Sequence, residues 1–260
     1  MRRVAAAALA SLPFLAFFIL TASAGPGPRP LVLGVATSVN LNTAFADAST
    51  GELRGVGAEL VKAFAAELGT DIEQVRYTTT PAIMADVNSG AWEISVQPGD
   101  QARAGGALYG GTYMLVQQTL LVPTDSSART MADLDQPGVR IVVNVGTPAD
   151  AELSRLLQHA ELIRNDAPGT GSAAPLFAGE VDAYAFNREA LLGLAEQRAG
   201  YRVLDDDFAV TELGIAVAPG QQQLLGHLQT FLDDAKRSGL VARAIQTNGV
   251  RGVEVASPGQ

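Results

Sequence analysis

The 260-residue chain contains no cysteine, two histidines and one tryptophan, and 17% of its residues are charged. Without cysteine it forms no disulfide, offers no thiol nucleophile or thiolate metal site, and carries no lipid-modified N-terminal cysteine. His159 and His227 are the only imidazoles, so a nucleophilic triad has little to draw on. Both fall at or near helical stretches among leucines, where a partly buried or surface helix role is simpler than a catalytic one. No Gly-rich phosphate loop leads to Lys-Ser/Thr, and neither H-E-x-x-H nor a calcium-loop pattern occurs. No cofactor and no metal are expected.

What is present begins with an export pattern. Arg2 and Arg3 precede an apolar run from Val4 to Leu20, and Ala22-Ser23-Ala24 supplies the small residues of a cleavage site. Residues 1–24 are therefore expected to be a signal peptide. The alternative is a membrane anchor, but Ser11 and Pro13 interrupt the run, which falls short of the ~20 apolar residues that span a bilayer. Removing these residues leaves 16 basic against 27 acidic side chains, a net charge of −11. Such a surface disfavours nucleic acid and anionic lipid as partners. A freely soluble periplasmic monomer is expected, and 47% apolar content is enough to fill real cores.

After a Gly/Pro spacer at 25–30, Leu31 to Thr37 reads as a buried strand. Gly57 to Leu68 places Leu60, Val61, Phe64, Ala65 and Leu68 on one helical face, and Gly69 stops the helix. Strands at 72–77 and 92–96 flank a short helix at 82–88. The alternation resumes with strands at 139–145, 161–164, 181–186 and 201–204. Helices are expected between them over 148–158, 171–178 and 187–197. Strands that alternate with helices imply parallel sheets, because parallel neighbours need crossover connections. Two extended stretches, Gln117 to Pro123 and Leu213 to Pro219, lack helical periodicity and read as hinge strands. An amphipathic helix from Leu224 to Ala235 and a shorter one at 240–246 follow. The expected organisation is an α/β fold of two lobes: 31–118 with 217–250, and 119–216, followed by a flexible tail over 251–260.

Several segments carry local chemistry. In VGTPAD at 145–150, Thr147 is a good helix N-cap, Pro148 suits the first helical position, and Asp150 completes a capping-box spacing. A helix N-terminus at the end of a strand suits a carboxylate, although an ordinary cap explains the same residues. Arg103 can grip a carboxylate through two parallel hydrogen bonds, or be a solvated surface arginine. Asn40 and Phe45 follow the first strand, where open α/β sheets place ligand contacts. Trp92 begins a strand and reads as core before it reads as a ligand platform.

The order of these pieces resembles the family 3 extracellular solute-binding proteins, best known for feeding polar amino acids to ABC importers. The resemblance runs from about residue 31 to 250. It is carried by LVLGVAT at 31–37, GELRGVGAELVKAFAAELG at 51–69, NSGAWEISV at 88–96 and DQAR at 100–103. Farther on come MADLDQPGVRIVVNVGT at 131–147, FAGEVDAYAF at 177–186, LGIAVAPG at 213–220 and AKRSGLVARAI at 235–245. It implies a type II periplasmic binding fold that closes on a small molecule, with an ABC permease in the inner membrane as partner.

By this resemblance Arg103 closes a T-x-x-R motif and holds the ligand's carboxylate, with Asp100 in the threonine's place. Gln97 and the 97–100 turn contribute beside it, Thr147 lines the cleft, and the aromatic of a Pro-Phe pair is kept as Phe45. Amino-acid binders of the family commonly place a second aspartate about five residues after the one matching Asp182. Here that position is Asn187, which cannot neutralise an ammonium, so a carboxylate or polar neutral ligand becomes credible. A plain helix N-cap is the other reading of Asn187. A sensory or accessory binder, and a periplasmic dehydratase on the same fold, stand as alternatives to the importer.

Overall fold

The computed structural model describes residues 29–36, 42–78, 80–167 and 169–260. The expected signal peptide, most of the spacer and Asn40 lie outside these residues. The chain opens with β1 (Leu31–Ala36), the short β2 (Phe45–Ala46) and β3 (Leu53–Arg54), α1 (Val56–Glu67), β4 (Ile72–Tyr77), α2 (Thr80–Ala85) and β5 (Ile94–Pro98). A short helix α3 (Gly99–Ala104) leads into the long strand β6 (Leu108–Pro123). Then follow α4 (Met131–Leu134), β7 (Arg140–Asn144), α5 (Pro148–Leu156) and β8 (Glu161–Asn165). A 3-10 turn at Gly169–Ala173 precedes α6 (Ala174–Phe177), β9 (Ala183–Asn187), α7 (Arg188–Gln197) and β10 (Tyr201–Val203). The chain finishes with β11 (Ala209–Val217), α8 (Gln222–Arg237), α9 (Leu240–Thr247) and β12 (Val253–Val255).

The strands run in the order β3-β2-β1-β5-β11-β6-β9-β7-β8. Parallel pairing is confined to the two flanks: β1 with β2, β4 and β5, and β7 with β8 and β9. Between the flanks, β6 and β11 pair antiparallel from Leu108↔Val217 to Gln118↔Ala209. The two expected hinge stretches are thus longer than their sequence signals and form one ladder. That ladder shifts register on either side of Gly214 and Ile215. Gly214 is required there, since a Cβ would stand 2.1 Å from the Tyr109 hydroxyl and 2.2 Å from the Gly111 carbonyl oxygen.

The buried side chains divide along the same line. Leu33, Phe64, Ile94, Met114 and Ile215 form one core with Phe231 of α8, whose ring centroid lies 5.2 Å from that of Phe64. Leu120, Val122, Ile141, Leu153 and Ala183 form another. On strand β6, Met114 and Val116 therefore serve the first lobe, and Leu120 and Val122 the second. Trp92 is 1% exposed and donates its indole N–H to the Ile83 carbonyl at 3.1 Å, which makes it core.

The tail corrects an expectation. Instead of a flexible segment, residues 253–255 add β12 to β6 with Val253 opposite Val116, and Ala256 is buried. The Gln260 carbonyl accepts from the Thr112 N–H at 3.1 Å and from the buried Lys236 ammonium at 3.2 Å. A three-residue strand between Gly252 and Ser257-Pro258 is too short to reveal a period of two.

Candidate functional site

Two helices of the second lobe start at the ends of parallel strands and face the first lobe. At α5, the Thr147 hydroxyl donates to the Asn144 carbonyl at 2.8 Å and accepts from the Asp150 N–H at 3.3 Å. The expected capping box is redirected: Asp150 Oδ2 accepts from the Gly146 N–H at 3.0 Å, not from Thr147. Gly146, at φ 71°, turns its amide toward the carboxylate, a conformation that disfavours a side chain. At α7, Asn187 Oδ1 accepts from the Ala190 N–H at 2.9 Å. Both caps satisfy one orphan donor and leave the positive end of a helix at the cleft.

Beside these caps stand Gln118 of β6, the ladder partner of Asn187, and Thr211 of β11, joined by a 3.0 Å hydrogen bond from the Gln118 amide to the Thr211 hydroxyl. With Val116, Phe186, Leu213, Thr147 and Asn187 they line a cleft of about 310 Å³ whose lining contains no charged side chain. Two smaller chambers adjoin it. One of about 270 Å³ shares Thr147 and Pro148 with it and adds Asp100, Asp150 and Arg164. The other, about 180 Å³, shares Thr211 and brings together Arg103, Asp100, Glu152 and Glu212. The charged groups of the cleft thus gather at one end and the neutral ones at the other.

Arg103 sits in the last turn of α3 with its side chain 54% exposed. Its guanidinium lies 3.7 Å from Glu212 and 4.8 Å from the centre of the Tyr109 ring. The Tyr109 hydroxyl is 3.1 Å from Thr112 Oγ1, and that hydroxyl donates to Glu212 at 3.4 Å. Burial pushes the Tyr109 phenol up to about 12, so it stays protonated at neutral pH. Arg103 therefore has its position set by a ring and a carboxylate from two hinge strands, while keeping an open face.

Of the seven residues singled out from sequence, Thr147 and Asn187 line the large chamber and Asp100 and Arg103 the smaller ones. Among the described residues the ion-pair partner of Arg103 is Glu212, not Asp100. Gln97 and Phe45 do not line these chambers. Gln97 is fully buried on β5 opposite Gly214, and its carboxamide has no hydrogen-bond partner among the described residues. Phe45 is 3% exposed within β2, so its ring offers no open face. Sequence reading missed Gln118, Phe186, Thr211 and Glu212. Gln118 was signalled weakly, as a polar residue within the QQTLLVP stretch.

His159 is exposed, with Nδ1 3.5 Å from Asp135, and His227 lines a separate hollow with Arg29 and Glu93. Neither enters the cleft. Among the described residues no group of three or more His, Cys, Asp or Glu side chains could hold a metal, and no helix is long and apolar enough to cross a membrane.

Comparison with known proteins finds relatives over most of the chain. The sequence profile of the bacterial extracellular solute-binding proteins, family 3, matches residues 32–248. A glutamine-binding protein of Geobacillus stearothermophilus is 24% identical over 192 residues, which cover 72% of each chain. A putative binding component of an ABC transporter from Wolinella succinogenes, solved with lysine, superposes with a TM-score of 0.71 at 21% identity. The match covers 84% of this chain and 94% of that one. An ancestral amino acid-binding protein, described as a precursor of cyclohexadienyl dehydratase, gives 0.67 at 22% identity with the same coverage. At these identities the structures establish the shared fold, the two-lobed type II arrangement.

Proposed function

Because the chain belongs to the bacterial extracellular solute-binding proteins of family 3, we propose that it captures a small carboxylate or amino-acid-like ligand between its lobes and delivers it to an ABC importer. The observation that carries this is the opposition of Arg103 on one lobe to the capped helix ends at Thr147 and Asn187 on the other. A carboxylate bound to the Arg103 guanidinium replaces Glu212, a partner at 3.7 Å, with a bidentate one. The neutral part of the ligand then meets Gln118, Thr211 and Asn187.

Contacts from both walls exist together only when the lobes are closed. That differential affinity is what shifts the population toward closure. The paired strands β6 and β11 are the two connections about which the lobes would move, with residues 31–118 and 217–250 on one side and 119–216 on the other. We assign residues 1–24 to a cleaved export signal, and the working form to a periplasmic monomer without cofactor. The importer is its proposed partner.

The likeness to an ancestral precursor of a dehydratase supports one second reading, turnover of a prephenate-like acid in the same cleft. A thermal-shift screen of the purified protein against amino acids, dicarboxylates and aromatic acids tests the primary reading. Stabilisation by at least one carboxylate, recovered unchanged afterwards, is expected. Consumption of the acid would favour the dehydratase, and no stabilisation by any of them would remove the binding role.

A further inference from the structure

We propose that residues 251–260 form a third connection between the lobes, a strap that holds them close through the Arg251–Glu196 ion pair. This rests on the reading that the lobes close about β6 and β11.

The strap is fastened to the first lobe on both sides of its crossing. Val250 is buried in the first core, and Val253 of β12 packs against that core. Beyond β12 the Ala256 N–H donates to the Tyr113 carbonyl at 3.1 Å, and the Gly259 N–H donates to Asp233 of α8 at 2.8 Å. Arg251 and Gly252 stand between these anchors, and both reach α7. That helix belongs to the second lobe, since its Leu191 packs with Leu121, Val142 and Tyr184. Arg251 meets Glu196 in the last turn of α7 through two hydrogen bonds, Nη1 to Oε1 at 2.6 Å and Nη2 to Oε2 at 2.9 Å. Gly252 lies against Arg188 in the first turn, where a Cβ would stand 2.7 Å from the Arg188 Cγ. Its φ of 65° also disfavours any other residue. Arg188 is itself pinned, because its guanidinium donates to the Leu204 carbonyl and to Asp207 at 3.0 Å each, on the connection into β11. The strap thus pairs with one hinge strand and braces the entry to the other.

The bridge is made here while the cleft walls stand close: Asp100 of the first lobe and Pro148 and Ala151 of the second line the same two chambers. Glu196 moves with α7 and Arg251 stays with β12, so opening the cleft pulls them apart. The ion pair therefore favours the closed population, by an amount equal to its difference between the two states. Both side chains are more than half exposed, which keeps that amount modest, while the two-pronged geometry sets the pair apart from ordinary surface contacts. Neither residue lines the cleft chambers, so the strap biases the lobes without touching a ligand.

The chain has no cysteine, so Glu52→Cys and Asp166→Cys, at exposed positions one on each lobe, supply its only thiols. Spin labels on that pair report the interlobe distance by pulsed electron resonance without added ligand. Arg251→Ala should raise the ratio of longer to shorter distances by about two- to fivefold, the range of an exposed ion pair of good geometry. Gly252→Val should act in the same direction, and exchanging the charges, Arg251→Glu with Glu196→Arg, should restore the original ratio. Raising salt from about 0.05 M to about 0.5 M should lengthen the distances with the native strap and leave Arg251→Ala almost unchanged. The salt comparison with the native strap stands even if a variant misfolds. The proposal is overturned if neither salt nor Arg251→Ala moves the distances, or if the exchanged pair fails to reverse the shift. Distances that ignore both but shorten with a carboxylate found in the thermal-shift screen would sink the strap and spare lobe closure. Distances that respond to nothing would sink both.

Discussion

The Arg103 guanidinium stands 3.7 Å from the Glu212 carboxylate, beyond hydrogen-bond reach and with both side chains more than a third exposed. An ion pair in such a setting contributes little, about 0–1 kcal/mol. It holds Arg103 in place without committing the guanidinium. Arg103→Ala should therefore lower affinity for carboxylate ligands by about tenfold or more while leaving thermal stability almost unchanged. Calorimetric titration beside a melting curve checks both halves, and unaltered affinity would remove Arg103 from the site.

The buried Tyr184 hydroxyl donates to Asn144 Oδ1 at 2.6 Å, and Asn144 Nδ2 donates to the carbonyls of Ala167 and Gly169 at 3.0 and 2.7 Å. This network ties the end of β7, just before Thr147, to the segment that follows β8. Tyr184→Phe leaves the Asn144 oxygen without its donor in a buried place, so a loss of about 1–3 kcal/mol is expected. A shift of the urea midpoint at unchanged m-value is the measurement, and an unshifted midpoint would contradict it.

Asp135 links α4 to the entry of β8. Burial pushes its carboxyl up, but hydrogen bonds from the backbone N–H groups of Ala160, His159 and Gln158 outweigh that and hold it at about 2, below its ordinary 3.8. A depressed carboxylate contributes stability that is complete above the unfolded value and lost as pH falls toward the folded one. Asp135→Asn should thus be less stable than the parent at neutral pH, with the gap narrowing between about pH 4 and pH 2. Urea midpoints across that range decide it, and a gap independent of pH would exclude the ionised carboxylate as the cause.

Most of the elements were legible because their signals are local. The apolar spacing of Leu60, Val61 and Phe64 places α1, and Thr147-Pro148 and Asn187 mark where α5 and α7 begin. Boundaries slipped where competing contacts decide them. The helix expected over 82–88 instead covers Thr80–Ala85, and the one expected over 148–158 stops at Leu156. In the latter, Asp135 captures the backbone N–H groups of Gln158 and His159.

The sequence by itself determined the alternation of strands and helices, the helix caps and the excess of acidic charge, since each depends on residues a few positions apart or on composition alone. Tertiary structure decided which of those residues share a wall. Gln118 meets Thr211 across 93 positions and Thr112 meets Glu212 across 100, and both contacts follow from the β6–β11 ladder and its register shifts. A shift of one residue in that ladder would turn each side chain to the opposite face. For that reason Glu212 as the neighbour of Arg103 emerges only once the strands are paired.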